Sequence, residues 1–406
     1  MTKHSMCAGL PAFLLAIVAC GVEPPELDIV YNGATCGNGV FDPSELCVNN
    51  PGNIAISTGE QVVTVLSVNV DGDAFHDVVA ATASRIWIRR GVFGGFGAPA
   101  ISLTSNLAHY TDVAVGDFDA DGLPDLAATD AGTNHVVVWH NAGGLVFMPW
   151  AQIAVAANPV RILSARLDGD ARWDLAVLSF GTSQAQVLLA NGAPFTFPVA
   201  YGVGDAEDIA LGDCSGDGRP DLLYANGAGA TARLRARVVD MVGNFGAPIA
   251  SVLPLVDGTF GPLDAFAIAA GDFDGDADAD VAVSASFARL APMIDVGGCN
   301  FAPAFNMNTM PVTWAWTRAR LRTVQWTADA ALDLAAPHGD PLAAGDQVYS
   351  IVPGTGAGGF LPYRAEPHAP GTVIPKDLAF TDVDGDGRRD VLVAAAKGVI
   401  VERRIP

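Results

Sequence analysis

The chain has 406 residues, half of them hydrophobic and 16% charged, with a formal net charge of −22. That apolar content excludes a disordered chain. So large an acidic excess excludes nucleic acid and anionic lipid heads as surface partners, both of which call for basic surfaces, and points to cations or to neutral or basic partners.

Lys3 and the apolar run Ala8–Val18 predict a signal peptide over residues 1–19, because the run is too short to span a bilayer. Cys7 is lost with it. The segment Ile17-Val18-Ala19-Cys20-Gly21 resembles the bacterial lipobox. The resemblance implies that Cys20 carries lipid, that the anchor is the only membrane contact, and, with Gly21 rather than Asp after the Cys, that the chain is sorted to the outer membrane or cell surface. Residues 20–50 then read as a tether, with Glu23-Pro24-Pro25-Glu26 near its start and a small module around Cys36 and Cys47. The module, C-G-N-G-V-F-D-P-S-E-L-C, predicts a local disulfide in an oxidising compartment. It resembles the cysteine-rich modules of extracellular bacterial proteins, reduced to one Cys pair. Whether Cys214 and Cys299 pair is open.

From residue 51 to 406 internal repetition dominates. The nonapeptide D-F-D-A-D-G-L-P-D, 117–125, recurs in altered form at 69–77, 166–174, 213–221, 272–280, 325–333 and 382–390. We number these loops one to seven along the chain, with 117–125 as loop two. The last Asp of each recurs at steps of 48, 49, 47, 59, 53 and 57 residues. An alternating stretch precedes each loop and an apolar run follows it. A third strand comes next, such as Arg85–Ile88, His135–Trp139 or Gln186–Leu189. A Gly-rich turn with Phe and Pro follows, as in G-G-F-G-A-P (94–99), G-N-F-G-A-P (243–248) and G-G-F-L-P (358–362). Four short strands per repeat, seven times over, predict an all-β, seven-bladed β-propeller. The last repeat has only three strands, and a spare strand, Gly52–Ser57, precedes the first. We expect that N-terminal strand to complete the last blade and close the ring.

The D-x-D-x-D-G start also matches an EF-hand, but position twelve holds Ala128 or Val393 and the flanks are strand-like. The loops resemble the FG-GAP or VCBS repeats of integrin-type propellers, and the likeness runs through seven copies over about 350 residues. It implies that positions 1, 3, 5 and 9 of each loop converge on calcium, with a position-7 carbonyl, a hard-oxygen set suited to that ion. The implied ligands are Asn69, Asp71, Asp73 and Asp77; Asp117, Asp119, Asp121 and Asp125; Asp213, Ser215, Asp217 and Asp221; Asp272, Asp274, Asp276 and Asp280; and Asp382, Asp384, Asp386 and Asp390. Ala74 and Ala277 stand where the turn glycine belongs. About five ions are expected. Loops 166–174 and 325–333 are expected to be empty, because Arg166 can pair with its own loop's carboxylates and Gln325 and Thr327 leave too little charge.

No H-E-x-x-H or G-x-S-x-G pattern occurs, and the seven His form no ligand cluster in the sequence, so no catalytic residue is assigned. Five residues before each loop stand Thr64, Asp112, Arg161, Asp208, Ala267, Arg320 and Asp377. They are expected to ring the channel mouth opposite the loops, either neutralising one another or forming a polar ligand site. The stretch P-V-T-W-A-W-T-R-A-R-L-R, 311–322, sets Trp314 and Trp316 beside three arginines. Those Trp residues either pack between blades or form a binding patch. The expected function is a monomeric extracellular binding or adhesion module for a glycan or protein on the envelope or another cell. A polysaccharide-acting enzyme and a structural envelope protein are the alternatives.

Overall fold

The computed structural model describes residues 56–403, apart from 98–99, 106–107, 192–194, 197, 228–230, 254–255, 258–260, 263, 286–288, 305–307, 310–319, 328, 338–346, 362–363 and 368–374. The expected signal peptide, Cys20, the Cys36–Cys47 pair, Trp314 and Trp316 lie outside the described residues.

The chain is all-β and forms seven four-stranded antiparallel blades in a propeller ring. In blade two the strands are Tyr110–Gly116, Asp125–Asp130, His135–Asn141 and Phe147–Ala154, hydrogen-bonded in chain order. The first strands of neighbouring blades touch around the central channel. Second strands are buried on both faces, because each blade packs between two others. Asp77–Thr82, Asp125–Asp130, Asp174–Ser179, Asp280–Ala285, Asp333–Pro337 and Asp390–Ala394 are buried at every residue. This is why they read as unbroken apolar runs of small and β-branched residues rather than as alternating ones.

Each of the seven blade interfaces holds its own hydrophobic cluster, including Val79, Ile88 and Val113 between blades one and two and Leu223, Val281 and Met293 between blades four and five. The seventh cluster joins Leu392, Val399 and Val401 to Val62, Val65 and Val78, so the last blade packs on the first. Closure follows the expected route. Ser57 bridges Gly398, Thr58 N donates to Lys397 O (2.8 Å) and Val399 N donates to Ile56 O (3.1 Å), which sets residues 56–58 along the outer side of blade seven; residues 52–55 of the expected strand lie outside the described residues.

Four first strands share a register shift, between Val62 and Thr64, Tyr110 and Asp112, Pro159 and Arg161, and Ala265 and Ala267. A bulge re-aims side chains locally. Here it falls immediately before the channel position in each strand, which is how one backbone irregularity recurs around the ring.

Cys214, in loop four, is disulfide-bonded to Cys299, in the turn after the third strand of blade five. The sequence left that pairing open. It closes a span of 85 residues across a blade interface, so it restricts the unfolded chain strongly. The Cys214→Ala/Cys299→Ala double variant should lose about 2–4 kcal/mol, read as a lower urea midpoint with a slope no shallower than the wild type, since the freed unfolded chain is less compact. An unchanged midpoint would show that the bond does not support the ring.

Candidate functional site

The ninth residue of every loop is a fully buried Asp: Asp77, Asp125, Asp174, Asp221, Asp280, Asp333 and Asp390. One oxygen, Oδ2, accepts the amide of the loop's second residue in all seven blades, from Val70, Phe118, Leu167, Cys214, Phe273, Trp326 and Val383 at 2.7–3.1 Å. The other, Oδ1, accepts an amide at or just beyond the end of the third strand in the first six blades, from Gly91, Asn141, Ala190, Val239, Asp295 and Gly354 at 2.8–2.9 Å. The second residue itself is buried in the interface core. Gly91 and Gly354 are needed at this approach, since a Cβ on either would lie 2.1 Å from a backbone carbonyl oxygen, His76 O or Leu332 O.

This clamp was missed in the sequence, where the ninth Asp was read as a metal ligand. Its presence in loops three and six, which were expected to hold no ion, shows that it has a structural task of its own. Burial pushes the carboxyls of Asp125 and Asp174 up to about 6 and that of Asp280 up to about 7, against the pull of the amides they accept. Burial likewise raises Asp77 and Asp221.

The fifth residue shapes the loop in all seven copies by accepting the amide of the seventh, as in Asp121 Oδ1 from Leu123 N at 2.8 Å and Asp386 Oδ1 from Arg388 N at 2.8 Å. Beyond that the loops diverge. In loops two, four, five and seven the first Asp accepts the amide of the sixth residue, from Gly122, Gly218, Ala277 and Gly387 at 2.6–3.0 Å. Those sixth residues all have φ between 78° and 91°, and Ala277 accepts the strain of the left-handed region at 78°. Ala74, in loop one, does not enter it.

Three loops gather three carboxylate oxygens within 4.8 Å of one another: Asp117, Asp119 and Asp121; Asp272, Asp274 and Asp276; and Asp382, Asp384 and Asp390. Such clustering of oxygens fits a hard divalent cation. Loop two also carries His140, whose Nδ1 lies 3.2 Å from both Asp119 Oδ2 and Asp125 Oδ1.

The other loops neutralise themselves. In loop one Arg90 reaches Asp71 (2.6 Å) and Asp73 (3.0 Å), and the Asn69 amide donates to Asp73 O. Gln325 in loop six donates to Asp329 O in the same way, at 3.3 Å. Loop three differs from expectation. Arg166 is exposed, and Arg172 makes the ion pair, with Asp170 at 3.1 Å. In loop four Arg219 pairs with Asp217, and Ser215 Oγ donates to Asp213 at 3.4 Å. Arg90, Arg172 and Arg219 were not singled out in the sequence, although Arg172 and Arg219 each stand two residues after the carboxylate they meet.

The channel residues do converge. Arg320 Nη1 lies 2.6 Å from Asp112 Oδ1 and 3.6 Å from Asp377 Oδ2, and Thr64 Oγ1 donates to Asp112 at 3.0 Å. Arg161 Nε lies 3.0 Å from Asp208 Oδ1. Arg322, absent from the expected ring, makes a two-point contact with Asp377 at 2.8 and 2.6 Å. Each Asp also accepts an amide of the following blade: Ile162 on Asp112, Ile268 on Asp208 and Val65 on Asp377. Three aspartates and three arginines thus balance, so mutual neutralisation dominates. Burial alone would raise the Asp377 carboxyl, but Arg322 and Arg320 hold it below its ordinary value.

With this geometry the comparisons can be placed. Residues 69–128 and 117–177 match the FG-GAP-like repeat, each match beginning at the first residue of a loop. The ring and these matches fit an FG-GAP repeat propeller. No curated protein matches the sequence. Among solved structures, this propeller is similar to the BP39L lectin from Burkholderia pseudomallei, with TM-score 0.62 at 15% identity, over 86% of this chain and 99% of the lectin. It is also similar to BBS1N in its complex with ARL6DN, with TM-score 0.55 at 13% identity, over 87% and 94%. A streptogramin B lyase gives 0.54 at 13%, over 86% and 94%. At these identities the likeness concerns the fold alone.

The raised carboxyls set a pH dependence. A folded-state acid whose pKa lies above its unfolded value of 3.8 keeps a proton that the unfolded chain releases. Its contribution is therefore lost as pH rises from 3.8 to about 6 for Asp174, and to about 7 for Asp280. In calcium-free buffer, unfolding free energy should fall between pH 5 and pH 7.5. In Asp174→Asn the fall should be shallower, with stability lower by about 1–3 kcal/mol from the mismatched clamp. Urea titrations at the two pH values check this, and equal slopes for variant and wild type would remove Asp174 from the account.

Proposed function

We propose that the protein is a calcium-stabilised extracellular binding propeller whose ligand is a neutral glycan. The observation carrying the ligand class is a groove of about 570 Å3 between blades one and two. Trp139 and Trp150 line it together with Thr104, Thr133, His135 and Gln152. Hydroxyl, amide and imidazole groups beside the apolar Val137 and Pro149 suit a sugar, which offers many hydroxyls and an apolar ring face; Trp139 is 2% exposed and the Trp150 ring packs toward blade three, so neither supplies a stacking face. His135 Nδ1 lies 2.7 Å from Thr133 O and so donates to it, which leaves Nε2 as the acceptor of the neutral ring. Asp130 shapes the wall by accepting from His109 N, Gly132 N and Thr133 Oγ1. The lectin named above is a propeller of the same fold, which agrees with this reading.

A glycan array should give binding of a neutral oligosaccharide. Gln152→Ala, an exposed change, should weaken it at least about tenfold, the loss of one good contact, whereas Trp150→Ala should act on packing. Trp150 also packs on His140 and Phe195. Gln152→Ala therefore separates a binding loss from a folding defect. If no neutral glycan binds the folded wild type, the ligand assignment fails.

Calcium supplies charge neutralisation and loop ordering in this reading. The clustered carboxylates of loops two, five and seven would hold it, and the Arg90, Arg172 and Arg219 pairs and the Asn69 and Gln325 amides take its place elsewhere. That gives three ions rather than the five expected from the sequence. Metal analysis after equilibration in millimolar calcium should return three per chain, and chelation should lower the melting temperature. Asp384→Ala should remove one ion and Asp71→Ala none. Five ions in the wild type, or an unchanged melt after chelation, would contradict this assignment.

A further inference from the structure

The channel mouth holds a second cavity, of about 210 Å3, which the glycan reading does not use. Its floor includes the ring residues Arg161 and Arg320, and its rim carries Glu207 and Lys376. Phe180 and Phe266 supply apolar wall. Glu207, Phe266 and Lys376 each stand one residue before a ring position, where the first strands bulge in several blades and turn a residue toward the mouth.

The hydrogen-bond balance of the floor is one-sided. The ring carboxylates are engaged. Asp112 accepts from Val113 N, Thr64 Oγ1, Arg320 and Ile162 N. Asp208 accepts from Ile209 N (2.9 Å) and Ile268 N (3.3 Å), and Asp377 from Leu378 N, Val65 N and Arg322. Arg161 is the exception among the cations. It is 6% exposed, yet its Nε and Nη1 form no hydrogen bond. Both lie within reach of carboxylates, Nε at 3.0 Å from Asp208 and Nη1 at 3.8 Å from Asp112, but off the N–H directions. The short separation therefore contributes charge attraction without satisfying the donors. Burial, and then the charge of Arg320, hold the Arg161 guanidinium below its ordinary range in spite of Asp208. What Arg161 lacks is an acceptor along its N–H directions, although the carboxylates of Asp208 and Glu207 line the same cavity, and a buried guanidinium favours charged oxygens in two-point geometry.

We propose that this cavity binds a small free carboxylic acid as its anion, the carboxylate accepting from Arg161 on the floor, with Arg320 and Lys376 beside it and the apolar body against Phe180 and Phe266. The volume corresponds to about seven waters at liquid density, which suits one small ring or branched chain and no polymer.

The test uses the folded, mature chain and calorimetric titration with benzoate and isovalerate, with benzyl alcohol as the uncharged match and N-acetyl-glycyl-phenylalanine as a chain end. Benzoate should bind and benzyl alcohol should bind at least tenfold more weakly. Lys376→Gln and Phe266→Ala should each weaken benzoate at least fivefold. Arg161→Met should abolish binding. Because Arg161 belongs to the buried ring and its loss can unfold the chain, Lys376→Gln, read with its melting curve, decides the matter. No binding of either acid to the wild type overturns the proposal. So does equal binding of benzyl alcohol, or unchanged affinity in Lys376→Gln. Tighter binding of N-acetyl-glycyl-phenylalanine than of benzoate also overturns it, in favour of a peptide terminus. Glycan binding at the groove between blades one and two is read separately, so either site can fail without the other.

Discussion

The fold depends on a carboxylate that stays away from solvent. The ninth Asp of each repeat is fully buried and is held by one amide from the start of its own loop and, in the first six blades, by one from the end of the third strand. Burying such a group is unfavourable unless its oxygens are matched, and here backbone donors match both. The clamp ties three parts of a blade at one point: the end of the first strand, the start of the second and the exit of the third. It also drives the loop's second residue into the neighbouring interface, where Phe118, Phe273 or Trp326 becomes part of the core. Blade shape and blade packing are thus set by the same residue, which explains its presence in all seven copies although positions one and three vary.

With those tasks assigned to positions nine and five, both Asp in all seven loops, positions one and three are free to differ, and the loops treat the same electrostatic problem in three ways. Loops two, five and seven keep their carboxylates close together. Loops one, three and four answer them with Arg90, Arg172 and Arg219. Loops one and six place an amide where the first carboxylate would be, and its NH2 donates to the loop carbonyl. Like charges a few ångströms apart are costly even near solvent.

Much of this was legible in the sequence. The repeat period, the apolar runs after each loop and the spare N-terminal strand led to seven blades and to the closure at Ile56–Thr58, because strand periodicity and repeat spacing are local signals. The ring residues were found by counting back from the loops. What was not legible involves partners that no spacing shows. Arg90 meets Asp71 and Asp73 by returning from the end of the third strand. Arg166 stands at a ligand position and so draws the sequence reading, but side-chain direction decides the pairing, and Arg172 follows Asp170 around the turn. Arg322 escaped because the ring was taken as one residue per blade. Its period-two relation to Arg320 on an extended segment would have placed both on one side. The Cys214–Cys299 bond joins different blades, so only the ring's curvature brings the two together.

The distribution of charge follows from these arrangements. The channel ring is balanced, three against three, so the acidic excess behind the net charge of −22 does not lie there. Much of it lies in the repeated loops, together at one end of the ring, while the apolar-walled cavity with Arg161 on its floor opens at the other. A ligand that is an anion is therefore kept from the loop end by repulsion and meets a donor-rich floor at the mouth. A cation meets the reverse. The seven-fold repeat built both ends from one strand: its loop end collects carboxylates, and its bulged start, one residue before the ring, turns side chains into the mouth. Because the clamps make the blades rigid between these ends, the two can diverge in chemistry without a change of fold.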